Sequence, residues 1–379
     1  MRPASPPAAL PVPDPQALAT GRALLDRLER ELAAAGNWIS FARYMELALH
    51  EPGLGYYAAG ARKLGAGGDF VTAPELSPLF GRALARQAAQ LLQPGEAVLE
   101  FGAGSGALAE DLVAELKDFE YWILETSPEL KHRQQQRLGS RVRWLDRLPR
   151  NFRGVMIANE VVDAMPVHAL AWTRSGLMER GVCANEGQLA WSERPAEKSL
   201  VENSKEIQVE IPPSGRYESE LALYARAWMR SLGRILERGA LLVLDYGFPE
   251  GEYYHPQRSM GTLACHYRHR VHGDPFFLPG LQDITAHVDF SALARAARDA
   301  GLQLLGYAGQ AQFLVNCGIT DLLAAQDPAD AVRYLPAAAA VQKLLSPAEM
   351  GELFKVLAVG RGVAAPLRGF STGDRSHAL

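Results

Sequence analysis

The stretch Val98-Leu99-Glu100-Phe101-Gly102-Ala103-Gly104-Ser105-Gly106 decides the fold of this chain. Its opening residues read as a short buried strand carrying an acid near its end. The three alternating glycines read as a turn that opens a helix, because glycine takes left-handed backbone without steric cost. A strand, a glycine turn and a helix in this order make a seat for a nucleotide-like cofactor in an open α/β sheet.

The flanking sequence continues the alternation expected of a mostly parallel sheet. Strands are expected at 97–101, 121–124, 142–145, 155–158 and 241–244, with a helix at 105–117 after the turn. Ser127-Pro128-Glu129 supplies an N-cap hydroxyl, a proline at the first helical position and an acid in the first turn. Further on, a long amphipathic helix is expected over 220–237, and a helix and strand over 290–300 and 302–307. Two more helices follow over 310–323 and 329–345. Ser346-Pro347-Ala348-Glu349 reads as a capping box ahead of another helix, and 355–359 as a last edge strand. Ahead of the turn, helices are expected over 18–35, from Ser40 to Leu49, and from Pro74-Glu75 toward Leu92.

This gives a disordered Pro/Ala-rich tail at 1–17, a helical and lid segment at 18–95, a core at 96–365 and a loose tail at 366–379. Within the core, about 167–215 reads as a β-rich insertion. The aromatic- and histidine-rich stretch at about 248–288 reads as a long substrate loop. The glycine-rich run Gly65-Ala66-Gly67-Gly68 suits either a plain surface connection or a lid over a ligand.

Composition narrows the function. The chain has 379 residues, 48% hydrophobic and 22% charged, values ordinary for a globular protein. A net charge of −4 without a basic run gives no footprint for nucleic acid. No window is apolar enough for a membrane span. The three cysteines stand far apart and form no disulfide framework or CxxC site, which suits a reducing compartment. The opening residues carry neither an apolar run nor a basic amphipathic helix, so a cytoplasmic location is expected.

Three ligands compete for the glycine turn. A P-loop needs Gly-Lys-Ser/Thr, which Gly106-Ala107-Leu108 excludes. A dinucleotide fits Gly102-x-Gly104-x-x-Ala107, with Glu125 about 20 residues on to take ribose hydroxyls. Against it stands Glu100, whose carboxylate would oppose a pyrophosphate over the same helix start. S-adenosylmethionine (SAM) avoids that conflict: its cationic centres tolerate an acid, and its ribose diol suits Glu125.

Asn159-Glu160-Val161-Val162-Asp163 lies at the end of another strand, where ligands of open parallel sheets bind. Glu160 and Asp163 are spaced to share one face of a helical turn. Two acids there suit a guanidinium or amine acceptor, since each accepts N–H bonds and localises a lone pair on the attacking nitrogen. The alternative is that Glu160 caps a helix and Asp163 faces solvent. His266, His269, His272 and His287 are irregularly spaced, with few acidic partners, so no metal site is expected. Tyr253-Tyr254 and Phe276-Phe277 suit either an acceptor groove or the packing of the loop.

Eight strings occur in one order: Pro52-Gly53-Leu54-Gly55-Tyr56-Tyr57, Gly68-Asp69-Phe70-Val71-Thr72-Ala73-Pro74-Glu75, Leu99 to Gly106, Glu125-Thr126-Ser127-Pro128, Asn159 to His168, Asp245-Tyr246-Gly247, Gly261-Thr262-Leu263 and Asp283 to Phe290. Together, over about 40–320, they resemble the SAM-dependent methyltransferases of the mitochondrial complex I assembly factor 7 type and their bacterial relatives. The resemblance implies a class I, Rossmann-like α/β fold with a mostly parallel sheet. It places Gly102, Gly104, Gly106 and Glu125 on SAM and the Gly68 to Glu75 segment, with Thr72 and Glu75, at its border; the strand-end reading adds Glu100 and Asn159 to the donor side and Glu160 and Asp163 at the acceptor. It also implies a protein substrate methylated on arginine, with a complex I subunit as the partner suggested by the mitochondrial members. Ala103-Gly104-Ser105 departs from the Pro-Gly-Arg of many relatives, a change expected to loosen the turn without abolishing donor binding. The rival readings are a SAM-binding assembly factor without catalysis, a small-molecule methyltransferase, and an NAD-linked oxidoreductase.

Overall fold

The computed structural model describes residues 11–59, 72–364 and 366–379. Its centre is a sheet whose main path holds seven strands. In chain order these are β1 (Ala97–Phe101), β2 (Glu120–Leu124), β3 (Arg143–Leu145), β4 (Phe152–Asn159), β5 (Leu236–Phe248), β6 (Gln303–Gly309) and β7 (Phe354–Arg361). Across the sheet they run β6-β7-β5-β4-β1-β2-β3. All pairings from β3 to β5 are parallel, while β7 is antiparallel to both β5 and β6. Val288–Asp289 adds a short parallel pairing to the end of β5.

The strands are apolar runs because both faces of the sheet are covered. Every residue of β1 is buried. On one face Val98, Ile123, Ile157 and Leu242 meet Leu84 of helix α1 (Pro78–Leu91) and Leu108 and Leu112 of α2 (Ala107–Glu115). On the other, Leu99, Phe101, Met156 and Leu241 pack with Met229 and Leu232 of the Leu223–Ile235 helix and Leu293 of the Phe290–Asp299 helix.

A second, antiparallel sheet is built from Ile39–Ser40, His168–Thr173, Gly176–Asn185, Gln188–Pro195 and Arg216–Leu221. The N-terminal segment therefore pairs directly with the inserted strands, through Ile39 opposite Val182. The Pro15–Ala34 and Phe41–His50 helices close this layer, with Leu24, Leu28, Tyr44 and Met45 wholly buried against it.

Several expectations give way. Asp14 caps the first helix, which starts at Pro15 and shortens the expected tail; residues 1–10 lie outside the described residues. The helix expected from Pro74 is broken at Ser77, which instead caps α1 after the short Ala73–Leu76 turn. The long helix expected from 220 begins at Leu223, because Glu218 and Glu220 belong to a buried strand. The expected 248–288 loop contains a three-stranded sheet of Ala264–Tyr267, Arg270–His272 and Asp283–Thr285. No helix follows Ser346; the chain turns there, with Glu349 and Gly351 both donating N–H bonds to the Ser346 carbonyl. Strand β7 is interior rather than an edge, and β6 takes the edge. The loose tail is docked: Phe370 is buried against Phe313, and Arg375 pairs with Glu352 at 2.9 Å.

Candidate active site

The parallel strands β1, β2, β4 and β5 end together, and the residues singled out in the sequence gather there. After β1, Gly102, Gly104 and Gly106 all take left-handed backbone, with φ of +58°, +54° and +80°. An L-residue resists this conformation, so the alternating glycines are required by the turn itself. Ser105 points back and donates to Glu75, which ties the turn to the short Ala73–Leu76 helix. The backbone N–H of Ala73, beside Thr72, donates to Glu160 Oε1 at 3.3 Å. One segment thus touches both the glycine turn and the acceptor-side acid. The glycine-rich run at 65–71, expected as a lid or connection, lies outside the described residues.

Glu125 sits just beyond β2. Its Oε1 accepts the Ser127 N–H at 2.9 Å, and its Oε2 accepts the Gln134 amide at 3.0 Å. Burial raises its pKa against the pull of these bonds. Glu100 is turned into the sheet, where the Tyr121 hydroxyl donates to it at 2.7 Å. Burial, with the neighbouring charge of Glu125, pushes the Glu100 carboxyl up to about 8. Instead of the open anion expected from sequence, it is a buried carboxyl beneath the turn. A cationic ligand over the turn would relieve both acids.

Across β4 lies the second cluster. Asn159 ends the strand, and its amide donates to Glu160 Oε1 at 3.2 Å while its own carbonyl oxygen is buried without a partner. Such an orphaned acceptor marks a place for a donor from a ligand. Glu160 has φ of +52°, strain that a non-glycine residue carries mainly at functional sites. The 160–163 segment is a turn rather than a helix, so Glu160 and Asp163 meet through this kink and not through helical spacing. Burial first, then the charge of Asp163, raises Glu160 to about 8.

Asp163 is buried and accepts the Tyr246 hydroxyl, leaving Oδ1 without a partner. Beneath it, the fully buried Asp245 takes the backbone N–H groups of Val162 and Asp163 at 3.0 and 3.2 Å. Burial and the other two acids hold Asp245 well above the usual carboxylate range. Burial likewise raises Asp163. Among the described residues, no lysine or arginine forms an ion pair with these three carboxyls.

The sequence reading missed Asp245, Tyr246, Tyr57 and Gln134 as site residues. The Asp245-Tyr246-Gly247 string at the end of a parallel strand was the available signal. Tyr57 donates to Asp283 at 2.9 Å and stacks on His50 at 5.7 Å. His287 stacks on Phe248 at 5.2 Å and meets the edge of Tyr246, and burial lowers its pKa to about 4. Tyr253 and Tyr254 are buried and Phe276 packs on Tyr44 at 5.4 Å, so these aromatics hold the segment down.

The residues fit a phosphate-free, cationic cofactor with a vicinal diol: a left-handed glycine turn, two carboxyls without a cation, and the orphaned Asn159 oxygen. The comparisons agree. The model of a family of S-adenosyl-L-methionine-dependent methyltransferases matches residues 79–308. "Protein arginine methyltransferase NDUFAF7, mitochondrial" from Danio rerio is 30% identical over 390 residues, spanning 89% of this chain and 87% of that relative. The Homo sapiens protein of the same name is 28% identical, over 85% of this chain and 80% of its own length. A Burkholderia thailandensis protein, solved bound to S-adenosyl-homocysteine, is 51% identical and superposes with a TM-score of 0.93. That alignment covers 98% of this chain and 100% of the other. With its family matched across the β1–β5 core and its fold superposed end to end, the chain belongs to the S-adenosyl-L-methionine-dependent methyltransferases.

Proposed function

We propose that this methyltransferase modifies a guanidinium nitrogen of arginine in a protein. One observation carries the reading: Glu160, Asp163 and Asp245 are gathered at the ends of β4 and β5 with no cation among the described residues to pair them. Burying carboxyls without a partner is costly, and a cation entering the cluster recovers that cost. A guanidinium offers five N–H donors in a rigid plane, more than an ammonium can present to acids on two sides. The names of the similar proteins from Danio rerio and Homo sapiens support arginine as the acceptor. On the sequence resemblance, a subunit of respiratory complex I is the first acceptor to offer.

Bound SAM supplies a methyl carbon already activated by its sulfonium. The remaining task falls to the chain's own groups. Glu160 and Asp163 accept N–H bonds from the guanidinium and hold one nitrogen in line with the donor side of the site. Tyr246 fixes the Asp163 carboxyl through its hydroxyl, and the Ala73 and Asn159 donors fix Glu160. Glu160, ionised when the guanidinium binds and made more basic than an ordinary carboxylate by its surroundings, accepts the proton that the methylated nitrogen gives up.

The test is transfer of labelled methyl groups from SAM to a lysate, followed by mass spectrometry of the labelled fraction. Methylarginine in protein is the expected result. Label confined to small molecules, or found on lysine alone, overturns the reading.

A further inference from the structure

We propose that Gln134 is a positioning residue for the methyl donor, a single buried amide that locks the glycine turn to the strand-end acid Glu125. It lies on the helix α3 (Pro128–Leu138), about two turns past the Ser127 cap, and is wholly buried. Its Nε2 donates twice, to the Gly104 carbonyl and to Glu125 Oε2, each at 3.0 Å. Its Oε1 accepts the Trp144 indole N–H at 3.1 Å from β3. One side chain therefore ties together the loop after β1, the acid after β2 and the strand β3.

The network leaves the amide no choice of orientation. An indole N–H only donates, so Trp144 fixes the oxygen of Gln134 on its side and the nitrogen toward Gly104 and Glu125. Both amide hydrogens are then used, and neither Glu125 nor the Gly104 carbonyl can turn away without leaving a buried polar group unsatisfied. The helix is also packed against the turn: a Cβ on Gly106 would lie 3.5 Å from Gln134 Cγ and 3.3 Å from Leu138 Cδ1.

Glutamine is the residue this position needs. A glutamate there would keep the Trp144 bond, but it would lose both donors and set a second carboxyl against Glu125. A methionine would keep the volume and lose all three bonds. With Ser127 N–H on one Glu125 oxygen and Gln134 on the other, the carboxylate is held in one plane, and its remaining lone pairs would take the ribose diol of a bound donor. The inference concerns donor binding, so its main readout does not depend on the acceptor.

The experiment titrates Gln134→Met, Gln134→Glu and Trp144→Phe with S-adenosylhomocysteine by calorimetry, beside Glu125→Ala and the Glu125→Ala/Gln134→Met pair. Loss of a charge-assisted bond predicts about 10-fold or greater weakening in both Gln134 variants. Releasing the amide in Trp144→Phe predicts a smaller loss. If Gln134 acts through Glu125, adding Gln134→Met to Glu125→Ala costs far less than it does alone, the signature of coupled sites. With the labelled-transfer assay, KM for SAM rises in Gln134→Met while kcat at saturating SAM falls much less. Affinity near that of the parent in any folded Gln134 variant overturns the proposal. So does a fully multiplicative loss in the double variant, or a fall in kcat as large as the rise in KM.

Discussion

Gly104 and Glu160 show how much single residues carry. Gly104 combines a left-handed φ of +54° with a carbonyl held by Gln134. A β-branched side chain there is strained at about 1–2 kcal/mol by backbone alone and stands in the seat of the ligand. Gly104→Val is expected to remove S-adenosylhomocysteine binding in calorimetry while the protein stays folded by circular dichroism; retained binding would place the donor elsewhere. Glu160→Gln keeps the shape and the Asn159 contact but cannot take a proton. It is expected to slow turnover about 100-fold, the lower end for a general base, with donor affinity little changed. The parent's kcat/KM should rise as pH climbs toward about 8, because Glu160 must ionise to bind a guanidinium, and Glu160→Gln should lose this limb. A limb that survives the substitution assigns the titration to another group.

At the scale of elements, the strands of the sheet were legible because they are buried on both faces and so are unbroken apolar runs, as in β1 and Leu241–Leu244. The Ser127 cap was legible for an equally local reason, a hydroxyl ahead of a proline. Elements whose polar residues are satisfied at long range were misread. Glu220 looks like a solvated helical residue, yet it is buried in a strand and accepts the Thr262 N–H and hydroxyl at 2.9 and 2.7 Å. Glu160 and Asp163 were read as sharing a face through helical spacing, whereas the segment is no helix and carries a left-handed kink at Glu160. The C-terminal tail looked loose because its anchor is a slot elsewhere: a Cβ on Gly306 would lie 2.3 Å from the Phe370 ring. Phe370→Ala empties that slot and strips the Phe313 contact at 5.3 Å. It is expected to lower the urea midpoint by an amount equivalent to about 3–5 kcal/mol. A change within error would mean that the tail does not support β6.

At the scale of the molecule, the donor and acceptor sides each rest on buried acids that the fold itself leaves without cations. Glu100 and Glu160 both stand near 8 against an ordinary 4.5, for the same first cause, burial. Across that interval the folded chain holds protons that the unfolded chain has released. The stability these two acids contribute therefore falls as pH rises from about 4.5 to about 8, and is fully present below that window. The direction is opposite to that of salt-bridged carboxylates, which lose stability on acidification. A cationic donor over the turn favours the ionised form of Glu100 and so offsets its share of this loss, most at the upper end of the window. Melting temperatures taken across this range, with and without SAM, should diverge as pH rises, with the ligand-free protein declining more steeply than the SAM-bound protein. S-adenosylhomocysteine lacks the sulfonium charge and should flatten the decline less than SAM does. Parallel curves for the two ligands would mean that the sulfonium makes no use of Glu100, and that the glycine turn recognises the nucleoside alone.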